Sequence, residues 1–402
     1  MPGACETARA LARDGSPHVV LLAIDQLPKA CASDAAAAIG LLDDLLAGAA
    51  DERSTSGWHI RAHALVALAA MDPGRVRERL LTADREQPWQ VRMYAARAAQ
   101  TARHAGALQR LARDGNPNVR EAAIVGLHEQ GPLDPTSAGL IRSALESDDY
   151  QLVRTAAQAL EGAPDRPRVL SALSAALGRL GAERKDTSRD PRRAILARIG
   201  ELGTAADVEL VRPSLRDFDA VIADDAARIL DGWGRTAPAD PQPLARVPLP
   251  LYEDVRQWDN ARAIVRMAAG GTFTLRLFAR DAPTNVARFV RQVREGYFNG
   301  LTWHRVVPNF VIQGGSPHAN EYAGDARYTR DEISERIHLR GTVGISTRGR
   351  DTCDGQLFIN LVDNLRLDHN YTIIGEVISG LDVVDRVVEG AVIDRVELLD
   401  AR

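Results

Sequence analysis

Lysine is almost missing from this chain. Only Lys29 and Lys185 stand against 48 arginines, and 54 acids are interleaved with them to leave a net charge of −4. No basic block is unbalanced, so the arginine excess reads as a coding bias rather than an anion-binding surface. The same balance gives no reason to expect nucleic acid or an anionic membrane as partner. Cysteine is nearly as scarce. Cys5, Cys31 and Cys353 have no metal-ligand spacing, and an odd count gives no disulfide framework, so all three are expected as free thiols or core residues. No run of about 18 apolar residues occurs, which excludes a membrane-spanning helix. Met1-Pro-Gly-Ala-Cys5 lacks a charged segment leading into an apolar one, so no secretory signal is read. The expected location is cytoplasmic, or periplasmic or exported if a leader lies upstream.

What is present is ordinary in bulk. The chain has 402 residues, 45% apolar and 26% charged, enough for two or three domains. The informative features are patterns. Leu11-Ala-Arg-Asp-Gly-Ser-Pro-His-Val19 returns as Leu111-Ala-Arg-Asp-Gly-Asn-Pro-Asn-Val119. A wider pattern of turn, Val-Arg and small apolar residues recurs at Arg61, Arg92, Arg120, Arg154, Arg193 and Asp224, at intervals of 28 to 39 residues. Ala three positions after the Arg shares its helical face and lets neighbouring helices approach. A period of this size predicts helix pairs stacked as an α-solenoid. The pattern resembles HEAT repeats, in particular their short bacterial form, and so implies a bacterial source. Asp and Arg at the turns are expected to bond between repeats, with Asp also capping helices.

The repeats stop near Gly234. Pro238, Pro241, Pro243, Pro248 and Pro250 then predict an extended linker over 237–255, between a solenoid at 1–236 and a third region at 256–402. That region is strand-rich. Gly270-Gly271 reads as a hairpin turn between Ala263–Ala269 and Thr272–Phe278. Asp281-Ala-Pro-Thr-Asn285 opens a helix with Val286, Phe289, Val290 and Val293 on one face and Gly296 at its end. A second helix is expected through Val384, Val387 and Val388 to Gly390, before a last strand from Val392 to Leu399.

The run Trp303-His-Arg-Val-Val-Pro-Asn-Phe-Val-Ile-Gln-Gly-Gly315 reads as two short strands broken near Pro308-Asn309. It brings a guanidinium, an aromatic ring and an amide to one surface able to hold a proline ring. Further on lie Gly341-Thr-Val-Gly-Ile-Ser-Thr-Arg-Gly349, Gly355-Gln-Leu-Phe-Ile-Asn360 and Leu367-Asp-His-Asn-Tyr371. In this order the motifs resemble the cyclophilins, which are peptidyl-prolyl cis/trans isomerases, over residues 256–402. The resemblance implies a closed, eight-stranded, mostly-β barrel capped by two helices. It also implies rotamase activity on X-Pro bonds, a part in protein folding, and no cofactor or metal.

By the same resemblance Arg305, Phe310 and Gln313 are catalytic: Arg305 donates to the prolyl nitrogen, Phe310 floors the proline pocket and Gln313 positions Arg305. Val311, Phe358 and Leu367 wall the pocket, and Ser346, Thr347 and Gln356 line the groove beside it. Arg366 and Tyr371 occupy two further substrate-binding positions, where the family often has Trp and His. The Trp position governs cyclosporin binding in the family, so weak cyclosporin affinity is expected. His304, His318 and His369 match no metal-ligand spacing, and Ser346 with His369 and Asp368 lacks a nucleophile-elbow context. The implied partners are proline-containing proteins or peptides in the groove and a protein on the solenoid. The alternative is a proline-binding scaffold or chaperone with little turnover, and a third reading has the solenoid cover the groove.

Overall fold

The computed structural model describes residues 3–48, 57–86 and 88–399. Two compact units emerge: one runs to Arg184 and resumes over Ser188–Leu244, and the other takes Lys185–Thr187 with the chain from Ala245. Among the described residues no helix is long and apolar enough to cross a membrane.

In the first unit the repeats fold as helix pairs. The helices Trp89–Thr101, Pro117–Glu129, Tyr150–Ala159, Arg189–Leu202 and Ala220–Gly232 pack in succession, alternating with others such as Ala105–Leu111 and Arg166–Ala182. Small residues set the spacing: Ala95, Ala96, Ala122, Ala123, Ala156 and Ala157 are buried. At Gly126 a Cβ would meet Leu108 Cδ2 at 2.7 Å. The Asp-Gly-Asn-Pro turn shows how each repeat is locked to its neighbour. Asp114 accepts from Arg92 Nε at 2.6 Å and Nη2 at 2.9 Å, and from the Asn116 N–H at 2.8 Å. Asn116 in turn caps the next helix by accepting from the Asn118 N–H at 2.9 Å, with Pro117 in its first turn. Asp219 repeats the arrangement with Arg189 and the Val221 N–H.

Three expectations need correcting. Cys5 and Cys31 are not free: they form a disulfide joining the helices Ala4–Leu11 and Pro17–Ala30. Pairing depends on how those helices pack, which residue counting does not register; Cys353 is free and buried. The proline-rich segment is not a uniform linker. Its first part lies along the first unit, where the Asp240 N–H donates to Leu215 O and the Gln242 N–H to Asp217 O at 2.8 and 2.9 Å. Its last part forms the helix Tyr252–Trp258, whose Glu253, Asp254 and Arg256 complement the helix dipole. Finally, the second capping helix ends at Val384. The β-branched run Val383, Val384, Val387, Val388 resists helical propagation, yet irregular turns still bury Val384, Val387 and Val388.

The second unit is an antiparallel sheet of nine strands: β1 Arg262–Met267, β2 Thr272–Leu277, β3 Thr302–Trp303, β4 Arg305–Val307, β5 Val311–Gly314, β6 Thr342–Ile345, β7 Leu357–Asn360, β8 Ile373–Ser379 and β9 Ala391–Leu399. Their order is β3-β9-β1-β2-β8-β6-β7-β5-β4. The two ends of this order are consecutive in sequence, separated only by His304. One strand, interrupted there, therefore pairs with β9 through its first half and with β5 through its second. Thr302 also bridges Ser316 beyond β5. Counted so, the barrel has the expected eight strands and is nearly closed. Phe273, Phe289, Phe298, Trp303, Ile312 and Ile359 fill it, and the helix Pro283–Arg294 supplies Phe289.

Arg192 shows what holds the first unit. It is 0% exposed, donates through Nη1 to both Asp217 oxygens at 2.6 and 2.5 Å, and lies 4.3 Å over the Phe218 ring. Arg192→Ala leaves Asp217 half-buried without its cation and is expected to cost about 3 kcal/mol. Urea unfolding followed by helical circular dichroism should show the lower midpoint.

Candidate active site

The site is a row across three strand pairings. Arg305 on β4 stands opposite Gln313 on β5, Gln313 opposite Phe358 on β7, and Phe358 opposite Gly344 on β6. Directly opposed residues share a face of the sheet, so the guanidinium, amide and ring converge because of register. Val311 is two residues from Gln313 and joins the same face. Gly344 is required by the row: a Cβ there would lie 2.2 Å from Phe358 Cζ, so the ring lies over bare backbone. The β4–β5 turn raises Phe310 above the row. Asn309 takes φ +58°, a left-handed conformation Asn tolerates, and Phe310 O is held by the Leu361 N–H at 2.9 Å and Asn364 Nδ2 at 3.0 Å.

Hydrogen-bond polarity fixes Arg305. Gln356 is fully buried and its Nε2 donates to the carbonyls of Glu321 and Ala323 at 3.0 and 2.9 Å. Its oxygen must then face Gln313, whose Nε2 donates to it at 3.2 Å and to Ser346 Oγ at 3.0 Å. With its amide nitrogen committed, Gln313 turns its oxygen to Arg305 Nη1 at 3.3 Å. Glu321 takes Arg305 Nε at 3.1 Å. The guanidinium is thus held at two points beside the Phe310 ring, Cζ 5.9 Å from its centroid, and among the described residues its remaining N–H groups have no acceptor.

Arg305, Phe310, Val311, Gln313, Ser346, Thr347, Phe358, Leu367 and Tyr371 line one cavity of about 220 Å³. Two expected residues do not. Gln356 lies behind Gln313 rather than on the groove, and Arg366 sits outside with its Cζ 4.2 Å over the Phe310 ring. Two lining residues were given no role by the sequence, Glu321 outside the motifs and Arg348 within Gly341–Gly349. Arg348 Nη1 donates to Glu321 O at 2.6 Å and to buried Asp354 at 2.9 Å, and Nη2 donates to the Tyr328 hydroxyl at 3.1 Å. Hidden beneath the pocket is His338, stacked on Phe358 at 5.7 Å and edge-on to Tyr371 at 6.4 Å. Burial pushes its pKa below the ordinary histidine value, against opposing effects of the Tyr371 backbone and Asp368. None of these was legible, because each enters from a loop whose path depends on the closed barrel.

A family model described as cyclophilin type peptidyl-prolyl cis-trans isomerase/CLD matches residues 264–400, and one for HEAT repeats matches 78–161 and 105–184. A peptidyl-prolyl cis-trans isomerase of Helicobacter pylori is 38% identical over 130 residues, spanning 31% of this chain and 80% of that protein. The isomerase ppi1 of Schizosaccharomyces pombe is 36% identical over 121 residues, 29% of this chain and 78% of that protein. The crystal structure of a Cryptosporidium parvum cyclophilin type isomerase is matched over 35% of this chain and 99% of its own, at 22% identity and a TM-score of 0.33.

Two outcomes follow from the geometry. Gly344→Ala should displace the Phe358 ring and lower kcat/KM on a prolyl peptide by on the order of 10–100-fold, measured beside a circular dichroism check of folding. His304 should make the barrel acid-sensitive. Both its ring nitrogens are shielded, and burial pushes its pKa down to about 4, with Thr302 backbone opposing. An unfolded histidine titrates near ~6.5. Between those values the unfolded chain binds the proton and the folded one does not. Stability is therefore complete above ~pH 7 and falls toward ~pH 4, by on the order of 3 kcal/mol from this residue. Urea midpoints across that range should fall less steeply in His304→Gln.

Proposed function

Through its C-terminal unit the chain belongs to the cyclophilin-type peptidyl-prolyl cis-trans isomerases, and we propose that it turns over X-Pro bonds with Arg305 as the donor. The reaction needs no nucleophile. An X-Pro bond resists rotation by ~18–20 kcal/mol because resonance stiffens C–N. As the amide twists, its nitrogen becomes pyramidal and basic. A donor held near that nitrogen stabilises the twisted state more than the planar one, which is what lowers a barrier. The observation that carries this reading is the two-point clamp on Arg305 at a cavity that also exposes Phe310, Val311, Phe358 and Leu367. Phe310, Val311, Phe358 and Leu367 would hold the proline ring, and Tyr371 would close the pocket with its phenol. Glu321 and Gln313 keep the guanidinium from turning away.

The HEAT repeats support a protein-interaction module, which we assign to recruiting protein substrates or docking the isomerase on a partner. Tethering raises effective concentration at the catalytic groove, and a part in chaperoning client proteins follows from that arrangement. A near-neutral charge favours protein over nucleic acid as partner. The Cys5–Cys31 bridge favours an exported location over a cytoplasmic one, since disulfides persist in oxidising compartments. Bacterial relatives such as that of Helicobacter pylori favour a bacterial source.

Exchange NMR on a short Ala-Pro-Phe peptide tests the activity. Wild type should broaden the cis and trans lines, and Arg305→Ala should lose on the order of 10²–10³ in rate. A folded wild-type protein without exchange enhancement would leave a proline-binding scaffold as the better account.

A further inference from the structure

Two guanidinium groups flank the Phe310 ring, and they differ in what balances them. Arg305 is paired with Glu321. Arg366 is exposed, with its guanidinium 4.2 Å over the ring. The two acids nearest in sequence are turned to other donors: Asp363 accepts from the Arg340 N–H at 2.8 Å and Asp368 from the His338 N–H at 2.7 Å. Among the described residues Arg366 makes no ion pair. One uncompensated positive charge therefore stands beside the proline pocket.

Its position is built into the fold. Arg366 is the centre of the 3-10 turn Leu365–Leu367. Asn364, just before that turn, ties it to the pocket floor: its Nδ2 donates to Phe310 O at 3.0 Å and to Asn360 Oδ1 at 2.7 Å. The turn is closed behind by the Leu367 N–H to Asn364 O at 2.9 Å. Arg366 and Phe310 are thus held together through the Asn364 amide, and the Arg366 side chain needs only to lie down on the ring. A guanidinium over an aromatic face keeps N–H donors free at its edge, and those donors match a carboxylate bidentately.

We propose that Arg366 makes this isomerase selective for prolines flanked by an acidic residue, the carboxylate lying within about two residues of the proline and accepting from the Arg366 fork. The inference rests on the catalytic reading above and names the substrate class it serves. Arg366 is a specificity-determining group in it, since it approaches the flank of the substrate rather than the rotating bond.

The test is a peptide series on the full chain: Ala-Ala-Pro-Ala-Ala amides carrying Glu, Gln or Lys immediately before the proline, after it, or two residues after. Exchange NMR gives kcat/KM, and chemical-shift titration gives Kd independently of turnover. The readout is the Glu-to-Gln ratio within each enzyme, so any general loss in a variant cancels. Wild type should favour Glu at one of the three positions by roughly three- to fivefold, the size an exposed ion pair supports. The ratio should fall to about one in Arg366→Ala, persist in Arg366→Lys at reduced size, and invert toward Lys in Arg366→Glu. It should shrink as salt rises from about 0.01 to 1 M and the screening length contracts. A wild-type ratio of one at all three positions overturns the proposal, and so does a ratio that survives Arg366→Ala. Binding with the expected ratio but no exchange would retain the acidic preference and remove the catalytic reading instead.

Discussion

The active surface depends on the direction in which one glutamine points. Gln356 has no contact with solvent, and two loop carbonyls claim its amide nitrogen. Its oxygen then dictates the orientation of Gln313, which dictates where Arg305 finds an acceptor. Each bond alone is worth about 1 kcal/mol. Their value lies in order: reversing one amide would set two donors or two acceptors face to face in a buried site. A guanidinium on a long side chain would otherwise sample many rotamers, and the relay together with Glu321 converts it into a fixed donor.

That relay is possible because the barrel closes. β3 and β4 sit at opposite ends of the strand order yet are joined at His304, so Arg305 belongs to the strand that completes the ring. The loops carrying Glu321, Arg348 and Arg366 are brought to the rim by the same closure. Beneath them Gly344 makes room for the Phe358 ring, and a neutral, buried His338 supports that ring from behind. The groove is thus apolar in its floor and charged at its edge.

The first unit uses another economy. One Asp serves as acceptor for the neighbouring repeat's arginine and for its own turn, as Asp114 does with Arg92 and Asn116. Repetition makes this device visible in one dimension, and where Asp is missing Ser147 takes its place, accepting from Arg120 and from the Asp149 N–H. The Ala pairs are visible for the same reason: helix approach imposes a small residue at a fixed offset from the arginine.

Sequence alone determined the elements whose signals are local. Helical repeats, the hairpin at Gly270-Gly271, the split strand at Pro308-Asn309 and the order of pocket residues from Arg305 to Tyr371 all follow from short-range pattern. Their roles were legible through the resemblance to the cyclophilins, whereas their convergence rests on the pairing of β4 with β5, which sets Arg305 opposite Gln313. Tertiary structure decided the rest. The Cys5–Cys31 bridge, the retreat of Gln356 behind Gln313, the pairing of Glu321 with Arg305 and the isolation of Arg366 are contacts between segments far apart in the chain. Nothing in a residue's neighbours along the sequence reports which carboxylate will reach it, since that distance is set by how the barrel closes and how the helices stack.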